Sequence, residues 1–529
     1  MTSGEMMKCR TKRLFFLRAF CYTATMMVCD VPRILISSPS SSSGKTTVTC
    51  ALLSLFPNAA AVKCGPDFID PLFHQQVLGK QTGNVDLFFT AADKARAIFA
   101  HDSAGADIAV CEGAMGFYDG AGGTEKASAY ETSQVLGCPV ILVVDVKGKS
   151  LSVCAEINGF ASFREKKGDR SGVSGVILNR CSHVLYETLS PLIEKECGIK
   201  AVGFLEENED FAIESRHLGL VTPDAVQGFQ LKVDALTRAA KKSFDIEEIV
   251  RIAQSAPSFE YEDFFALTEA ARVRIAVAKD EAFCFYYREN LALLEAFGAE
   301  LVYFSPLRDR LVPAGCSALY LGGGYPQLFP VALAENTTML QSVRDFCRKG
   351  APVFAECGGF LYLKLSGILE GTFENQKRLV RFGYVTLTAN EDTLLCRAGE
   401  QIRAHEFHYF DTTKNGTAFT ARKVNGKEWE CIESAHAVSD MHVSPCGAGC
   451  GADGCGSCAG CEKNGGCGKD GGSCAGYGGR KENLLPNIVA GFPHLYFASN
   501  PDFARNLVRA AAEYSAKKAG SCSKKCVRL

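Results

Sequence analysis

The sequence predicts an α/β fold of two doubly wound domains in tandem, and three observations predict it. Short apolar runs rich in Val and Ile, at 34–36, 108–111, 140–144, 176–178 and 202–205, alternate with helical segments. Such runs read as strands buried on both faces of a mostly parallel sheet. A second series follows at 273–278, 301–304, 318–321 and 353–355. The length, 529 residues, exceeds one ordinary domain at roughly 100–200 residues each.

In chain order, residues 1–30 carry Lys8, Arg10, Lys12, Arg13 and Arg18 around the apolar 14–17. Arg18 breaks that run and no small-residue cleavage site follows, so they read as an N-terminal extension and not as a signal peptide. Residues 31–242 hold the first series. Residues 243–270 read as a linker, because 243–262 is polar and helical in pattern without a strand. The second series fills 271–515, and 516–529 form a tail.

Residues 446–480 interrupt that second series. Fourteen Gly and seven Cys in 35 residues leave Tyr477 as the only large apolar side chain, so the insert has no core of its own. Cys455, Cys458 and Cys461 resemble part of a cluster-binding run, but the next Cys, at 467, is off a ferredoxin spacing. A ligand-free insert is the first reading; an iron–sulfur or zinc site is the second.

Lys+Arg 57 against Asp+Glu 59 gives a formal charge of −2, with no net electrostatic pull toward nucleic acid or an anionic membrane. No run offers the eighteen or so apolar residues of a spanning helix. The 25 Cys of 529 fall short of the ~8–10% of a disulfide scaffold. Outside the insert and tail they sit largely in apolar runs, as reduced small hydrophobes do, which predicts a cytoplasmic protein.

The first run leads into Ser37-Ser38-Pro39-Ser40-Ser41-Ser42-Ser43-Gly44-Lys45-Thr46-Thr47 and then a helical 48–55. Strand, small-residue loop, Gly-Lys-Thr and helix make the P-loop arrangement. Backbone N–H groups of Ser43 to Thr47 cradle phosphate, Lys45 neutralises it, and the Thr46 hydroxyl ligates Mg²⁺. Pro39 stands where the pattern has its first Gly, and Ser42 also replaces a usual P-loop Gly. Glu112, after the run 108–111, falls where such proteins place a second acidic group near the metal. Asp67 and Asp70, in Lys63-Cys64-Gly65-Pro66-Asp67-Phe68-Ile69-Asp70, and Tyr118-Asp119, after Gly113-Ala114-Met115-Gly116-Phe117, each read singly as turns. Together they put carboxylates at the edge where open α/β sheets bind ligands.

In the second half, Val353-Phe354-Ala355-Glu356-Cys357-Gly358-Gly359 reads as a nucleophile elbow with sulfur as the nucleophile. The helix N-terminus is expected to lower the Cys357 thiol pKa, and the flanking glycines have no evident packing purpose. Upstream, Gly322-Gly323-Gly324 ends a strand with free N–H groups, and Gly323 and Gly324 form a candidate oxyanion hole. His494 is the candidate general base.

These motifs resemble the cobyrinate a,c-diamide synthase family. The resemblance covers about 33–509 apart from the insert, and adds Leu-Asn-Arg (178–180), Arg-His-Leu-Gly-Leu (216–220), His-Glu-Phe-His-Tyr (405–409) and His-Leu-Tyr-Phe-Ala-Ser (494–499). It implies a P-loop synthetase domain followed by a class I-like glutamine amidotransferase domain. The implied reaction is amidation of the a and c carboxylates of cobyrinate with ATP, L-glutamine and Mg²⁺. It further implies Asn179 as an adenine contact, Asp67, Asp70, Tyr118 and Asp119 as substrate-site residues, and Cys357 with His494 as the glutaminase pair. Gln327 stands where the family often has Glu, and Ala404 where it usually has Gly. Tyr496 holds the place where many amidotransferases put a triad Glu, which this family generally lacks. Another tetrapyrrole, hydrogenobyrinate or nickel-sirohydrochlorin, is an alternative acceptor, and a P-loop regulatory ATPase with an inactive second domain is an alternative class. A homodimer is one assembly open to the chain.

Overall fold

The computed structural model describes residues 26–164, 168, 171–211, 223–265, 272–437 and 485–526. The insert 446–480, the motif 216–220 and most of the N-terminal extension lie outside the described residues.

The first lobe is built on seven parallel strands. Their order is Thr82–Val85, Ala59–Cys64, Ile108–Glu112, Arg33–Ser37, Val140–Asp145, Val173–Asn179 and Lys200–Leu205. The P-loop strand is central. The chain moves from it to one side of the sheet and later to the other, so its carboxyl end lies at the switch point where α/β sheets take ligands. Ile34, Leu35, Ile36, Val110, Cys111, Ile141 and Leu142 are all fully buried, which explains continuous apolar runs in place of alternation.

The second lobe has a six-stranded sheet ordered Ala299–Phe304, Val273–Ala278, Ala318–Leu321, Val353–Glu356, Ile488–Gly491 and Glu433–Ala435, with only the last strand antiparallel. Beside it stands an antiparallel sheet that sequence reading does not anticipate: Glu428–Cys431, Phe419–Arg422, Arg381–Ala389, Gln401–His408 and His494–Leu495. Its strands alternate buried and exposed positions, as in Gln401–His408, a weaker signal than the buried parallel runs.

The stretch read as a strandless linker is built into the fold. Ile249, Ile252 and Ala253 of the helix Ile246–Gln254 are buried against the first sheet. The strand Phe259–Glu262 pairs antiparallel with Met26–Cys29, residues read as part of the extension. Fully buried Arg33 fastens this clasp, donating to the carbonyls of Leu136 at 2.6 Å, Val31 at 3.1 Å and Pro257, with its guanidinium over the Phe259 ring. The cysteines from Cys29 to Cys431 are all free thiols, and among the described residues no helix is long and apolar enough to cross a membrane.

Candidate active sites

The loop 38–44 enters the helix Lys45–Leu55 through Gly44, whose φ of 96° is left-handed. A side chain there would also collide with Asn179, whose Nδ2 donates to the Ser43 carbonyl at 3.0 Å, so only glycine fits. Ser42 has φ 63°, a conformation that costs a non-glycine residue on the order of 1–3 kcal/mol. Ser43 Oγ donates to the Ser40 carbonyl at 3.0 Å, and Thr46 and Thr47 are half-buried in the first helical turn. Buried Lys45 donates to Ser38 Oγ at 2.9 Å and the Ser40 carbonyl at 3.1 Å, so the loop curls around its ammonium. Burial, reinforced by the nearby Lys63 charge, pulls Lys45 down to about 8; an arriving phosphate would restore it.

Behind the loop lies a buried charge cluster. Thr46 Oγ1 donates to Glu112 Oε1 at 2.6 Å. Lys63 Nζ lies 3.2 Å from the same oxygen, 2.5 Å from Asp70 Oδ2 and 4.0 Å from Asp67 Oδ2. His74 Nε2 is 3.6 Å from Glu112 Oε2, and both atoms are buried without a hydrogen-bond partner among the described residues. Burial works against the Lys63 charge, but Asp70 and Glu112 outweigh it and hold the ammonium charged. Glu112 is pushed up to about 7, by burial first and the Asp70 charge second. Burial holds the His74 imidazole neutral, its pKa down at about 4.

The segment 113–119 is sewn to the loop. Gly113 N donates to the Ile36 carbonyl and Phe117 N to the Ser38 carbonyl, each at 2.9 Å, and Asp119 Oδ2 accepts from Gly116 N at 3.0 Å. Tyr118 turns elsewhere: its hydroxyl donates to the Phe160 carbonyl at 2.8 Å, and its ring packs among Phe117, Tyr130, Phe160 and Phe163. The structure thus gathers Lys45, Thr46, Asp67, Asp70, Glu112, Asp119 and Asn179 around one loop and leaves Tyr118 beside them.

In the second lobe Cys357 stands between the strand Val353–Glu356 and the helix Gly358–Leu365 with φ 48° and ψ −103°. That strained turn presents the side chain as an elbow does. A Cβ on Gly323 would meet His494 Nε2 at 3.1 Å and Cys357 Cβ at 3.3 Å, with His494 Cε1 nearer still. Thiol and imidazole therefore flank one glycine. The Gly323 carbonyl accepts from Cys284 and Phe285 N–H at 3.0 and 3.1 Å, so the Gly324 N–H, on the far edge of that trans peptide, points the other way. Gly324 N is also close to Gly358, at 3.3 Å from where its Cβ would be.

Three expectations change here. Gly322 N–H is not free, since it donates to Tyr286 Oη at 2.8 Å. The glycines after Cys357 do serve packing: a side chain on Gly359 would strike the Leu321 carbonyl, and one on Gly358 would lie 2.8 Å from Pro326 Cδ. Nor is the thiol pKa depressed: burial pushes Cys357 up to about 12 although the Gly358 N–H opposes it, and burial holds His494 down at about 3. The resting pair is neutral thiol and neutral imidazole, and a neutral imidazole is the form that accepts a proton.

The two centres meet. Phe68, between Asp67 and Asp70, has ring centroids 4.4 Å from Tyr287, 5.1 Å from Phe285 and 4.9 Å from His494. Asn84 Nδ2 donates to the Gly65 and Asp67 carbonyls at 2.9 and 2.8 Å, its N–H donates to Glu289 Oε1 at 2.7 Å, and its carbonyl accepts from Tyr496 Oη at 2.8 Å. Phe89 stacks on Tyr496 at 4.6 Å, and Tyr384 Oη donates to Asp86 Oδ2 at 2.6 Å. One apolar core runs through both lobes, and each large ring buried there stabilises the junction by about 1.5–3 kcal/mol.

Lys63, His74, Phe68 and Asn84 are the residues that sequence reasoning misses. Lys63 carries a signal, a lone charge in the fully buried strand Ala59–Cys64. Asn84 carries none, because two of its partners, Glu289 and Tyr496, lie in the other lobe, far away in the chain.

Comparison with known proteins adds to this geometry. The model of the CobB/CobQ-like glutamine amidotransferase domain matches residues 274–443. The chain is 38% identical over 390 residues to a cobyrinate a,c-diamide synthase of Clostridium tetani, covering 71% of this chain and 86% of the relative. It is 37% identical over 416 residues to that of Clostridium acetobutylicum, covering 75% and 93%. Against that of Dehalococcoides mccartyi it is 32% identical over 513 residues, covering 92% and 99%.

Proposed function

Because the chain belongs to the cobyrinate a,c-diamide synthase family, we propose that it amidates the a and c carboxylates of cobyrinate, using ATP and ammonia released from L-glutamine. In this proposal 31–242 act as the synthetase domain, 271–515 as the amidotransferase domain, and the protein works in the cytoplasm, where ATP is available. The observation that carries the reading is the flanking of Gly323 by Cys357 and His494 in the same chain as the Lys45–Thr46–Glu112 cluster.

A carboxylate resists attack by ammonia because its oxide is a poor leaving group. Transfer of the γ-phosphoryl group from ATP makes an acyl phosphate and ADP; ammonia then attacks the carbonyl carbon and phosphate leaves. Lys45 and the loop N–H groups of Ser43 to Thr47 would hold the phosphates and neutralise the charge that moves. Thr46 Oγ1 and Glu112, whose Oε2 has no hydrogen-bond partner among the described residues, form an oxygen donor set suited to Mg²⁺, which binds through one or two carboxylates and substrate phosphates. Mg²⁺ held there would supply charge neutralisation on the phosphates. Asn179 is proposed to reach the adenine and Asp67, Asp70 and Asp119 to hold the acceptor side. Tyr118, its hydroxyl already engaged, would contribute through its ring.

In the second lobe the Cys357 sulfur attacks the glutamine carboxamide carbon while His494 Nε2 takes the thiol proton. Gly323 and Gly324 N–H groups would receive the developing oxyanion. Ammonia leaves with that proton's return, and water releases glutamate from the thioester. Free ammonia is mostly ammonium at neutral pH, so making it beside the acceptor avoids protonation.

The test is an acceptor assay read by mass spectrometry, with ATP, Mg²⁺ and glutamine and, in separate reactions, cobyrinate, hydrogenobyrinate and nickel-sirohydrochlorin. Two carboxyl-to-carboxamide conversions on cobyrinate support the proposal. Conversion of only another tetrapyrrole reassigns the substrate, and ATP hydrolysis without glutamine turnover on any acceptor favours a regulatory ATPase.

A further inference from the structure

The His494 ring lacks what usually fixes a catalytic imidazole. Its Nε2 faces the Gly323–Cys357 side, while Nδ1 is buried with no hydrogen-bond partner among the described residues. For Nε2 to accept the thiol proton, the neutral ring must carry its hydrogen on Nδ1, and in a Cys–His–Glu triad a carboxylate holds that hydrogen. Tyr496, two residues on, offers no substitute: its hydroxyl is spent on the Asn84 carbonyl in the other lobe. Strand pairing with His405 fixes the His494 backbone but leaves the ring to its neighbours.

Those neighbours are aromatic. Phe68 lies with its centroid 4.9 Å from the His494 ring at an interplanar angle of 51°, and Phe285 lies at 6.3 Å. Phe68 is itself clamped between Phe285 and Tyr287. Its backbone is tied down on both sides: Asp67 Oδ1 accepts from Ile69 N at 2.9 Å, and Asn84 Nδ2 holds the Asp67 carbonyl. It is a rigidly presented ring reaching out of the first lobe onto the base of the second.

We propose that Phe68 is the positioning residue for His494: its ring, delivered by the synthetase lobe, does the orienting that a third carboxylate does in a triad, so the glutaminase centre is complete only when both lobes are docked. The inference rests on the reading that Cys357 and His494 hydrolyse glutamine. Besides fixing the ring, an aromatic face beside it favours the imidazolium that forms when Nε2 takes the thiol proton.

The experiment uses the full chain carrying Phe68→Leu, Phe68→Tyr or, independently, Phe285→Leu. Three quantities are read: kcat and KM for glutamine hydrolysis, the rate at which the glutamine analogue 6-diazo-5-oxonorleucine labels Cys357 across pH, and amidation driven by ammonium chloride. Phe68→Leu is expected to lower glutaminase kcat by about tenfold or more with little change in KM, as a misplaced catalytic group does. Labelling should slow in parallel, ammonia-driven amidation should persist, and Phe68→Tyr should restore most of the loss. Should Phe68→Leu not fold, Phe285→Leu, which loosens the clamp on Phe68, must show the same split in weaker form. Unchanged glutaminase in Phe68→Leu overturns the proposal, as does an equal loss with both nitrogen sources, which would place Phe68 at the acceptor. Wild-type protein that hydrolyses no glutamine defeats the underlying reading as well, and so the two failures are told apart.

Discussion

Gly323 and His494 touch so closely that the glycine has no room for a methyl group: its Cβ would lie 3.1 Å from His494 Nε2 and nearer still to Cε1. The backbone of one strand end therefore forms the floor on which the imidazole rests, with Cys357 on the other side.

Gly323→Ala should push the ring off Cys357. Glutamine-dependent amidation is expected to fall about 10²-fold, the penalty of roughly an ångström of misplacement, while ammonium-dependent amidation holds. Steady-state rates with the two nitrogen sources check this; a loss of both would mean that the glycine matters to the whole fold.

Lys45→Ala should act on the other centre. Removing the ammonium around which the loop curls is expected to cost about 10²–10³-fold with either nitrogen source, the scale of losing one electrostatic contact to a transition state. Basal glutamine hydrolysis, followed as glutamate release, should persist.

Lys63→Met should be felt as instability. It would leave Asp70 and Glu112 buried without their shared cation, a change worth about 3–5 kcal/mol when one partner of a buried pair is lost. Urea denaturation measures it. A variant as stable as wild type would show that the carboxylates are relieved some other way.

Glu356 gives a pH dependence with a definite sign. Buried at the end of the strand Val353–Glu356, its carboxyl accepts from Leu495 N at 2.6 Å and Tyr320 Oη at 2.8 Å, yet burial pushes it up to about 8. The folded protein thus keeps a proton that the unfolded chain loses near 4.3. The stability this contributes is fully present below the unfolded value and is lost as pH rises toward 8. Glu356→Gln, which cannot titrate, should show a shallower loss of stability between about pH 5 and pH 8, by on the order of 1–2 kcal/mol. Parallel curves for variant and wild type would contradict the assignment.

Parallel strands were legible in the sequence because both faces are buried, which leaves runs such as 34–36 and 140–144 without polar residues. The P-loop and the Cys357 elbow were legible because each is contiguous in the chain. The antiparallel sheet around Arg381–Ala389 was not, since one of its faces meets solvent and its pattern alternates. The clasp of Met26–Cys29 on Phe259–Glu262 was hidden by more than two hundred intervening residues. The pKa of Cys357 departs from the local expectation for a related reason: the helix N-terminus can be read locally, but the burial that outweighs it comes from the assembled fold. The junction through Phe68, Asn84 and Tyr496 likewise joins two neighbouring segments of the first lobe to a distant one in the second, and no local pattern announces it.

The most direct measurement pairs Cys357→Ala with two nitrogen sources. Cobyrinate, ATP and Mg²⁺ are incubated with the variant and either glutamine or ammonium chloride, and diamide is quantified. No product with glutamine, alongside near wild-type product with ammonium, is the expected result. Failure with both in a folded variant, or undiminished product with glutamine, would contradict the division of labour between the two lobes.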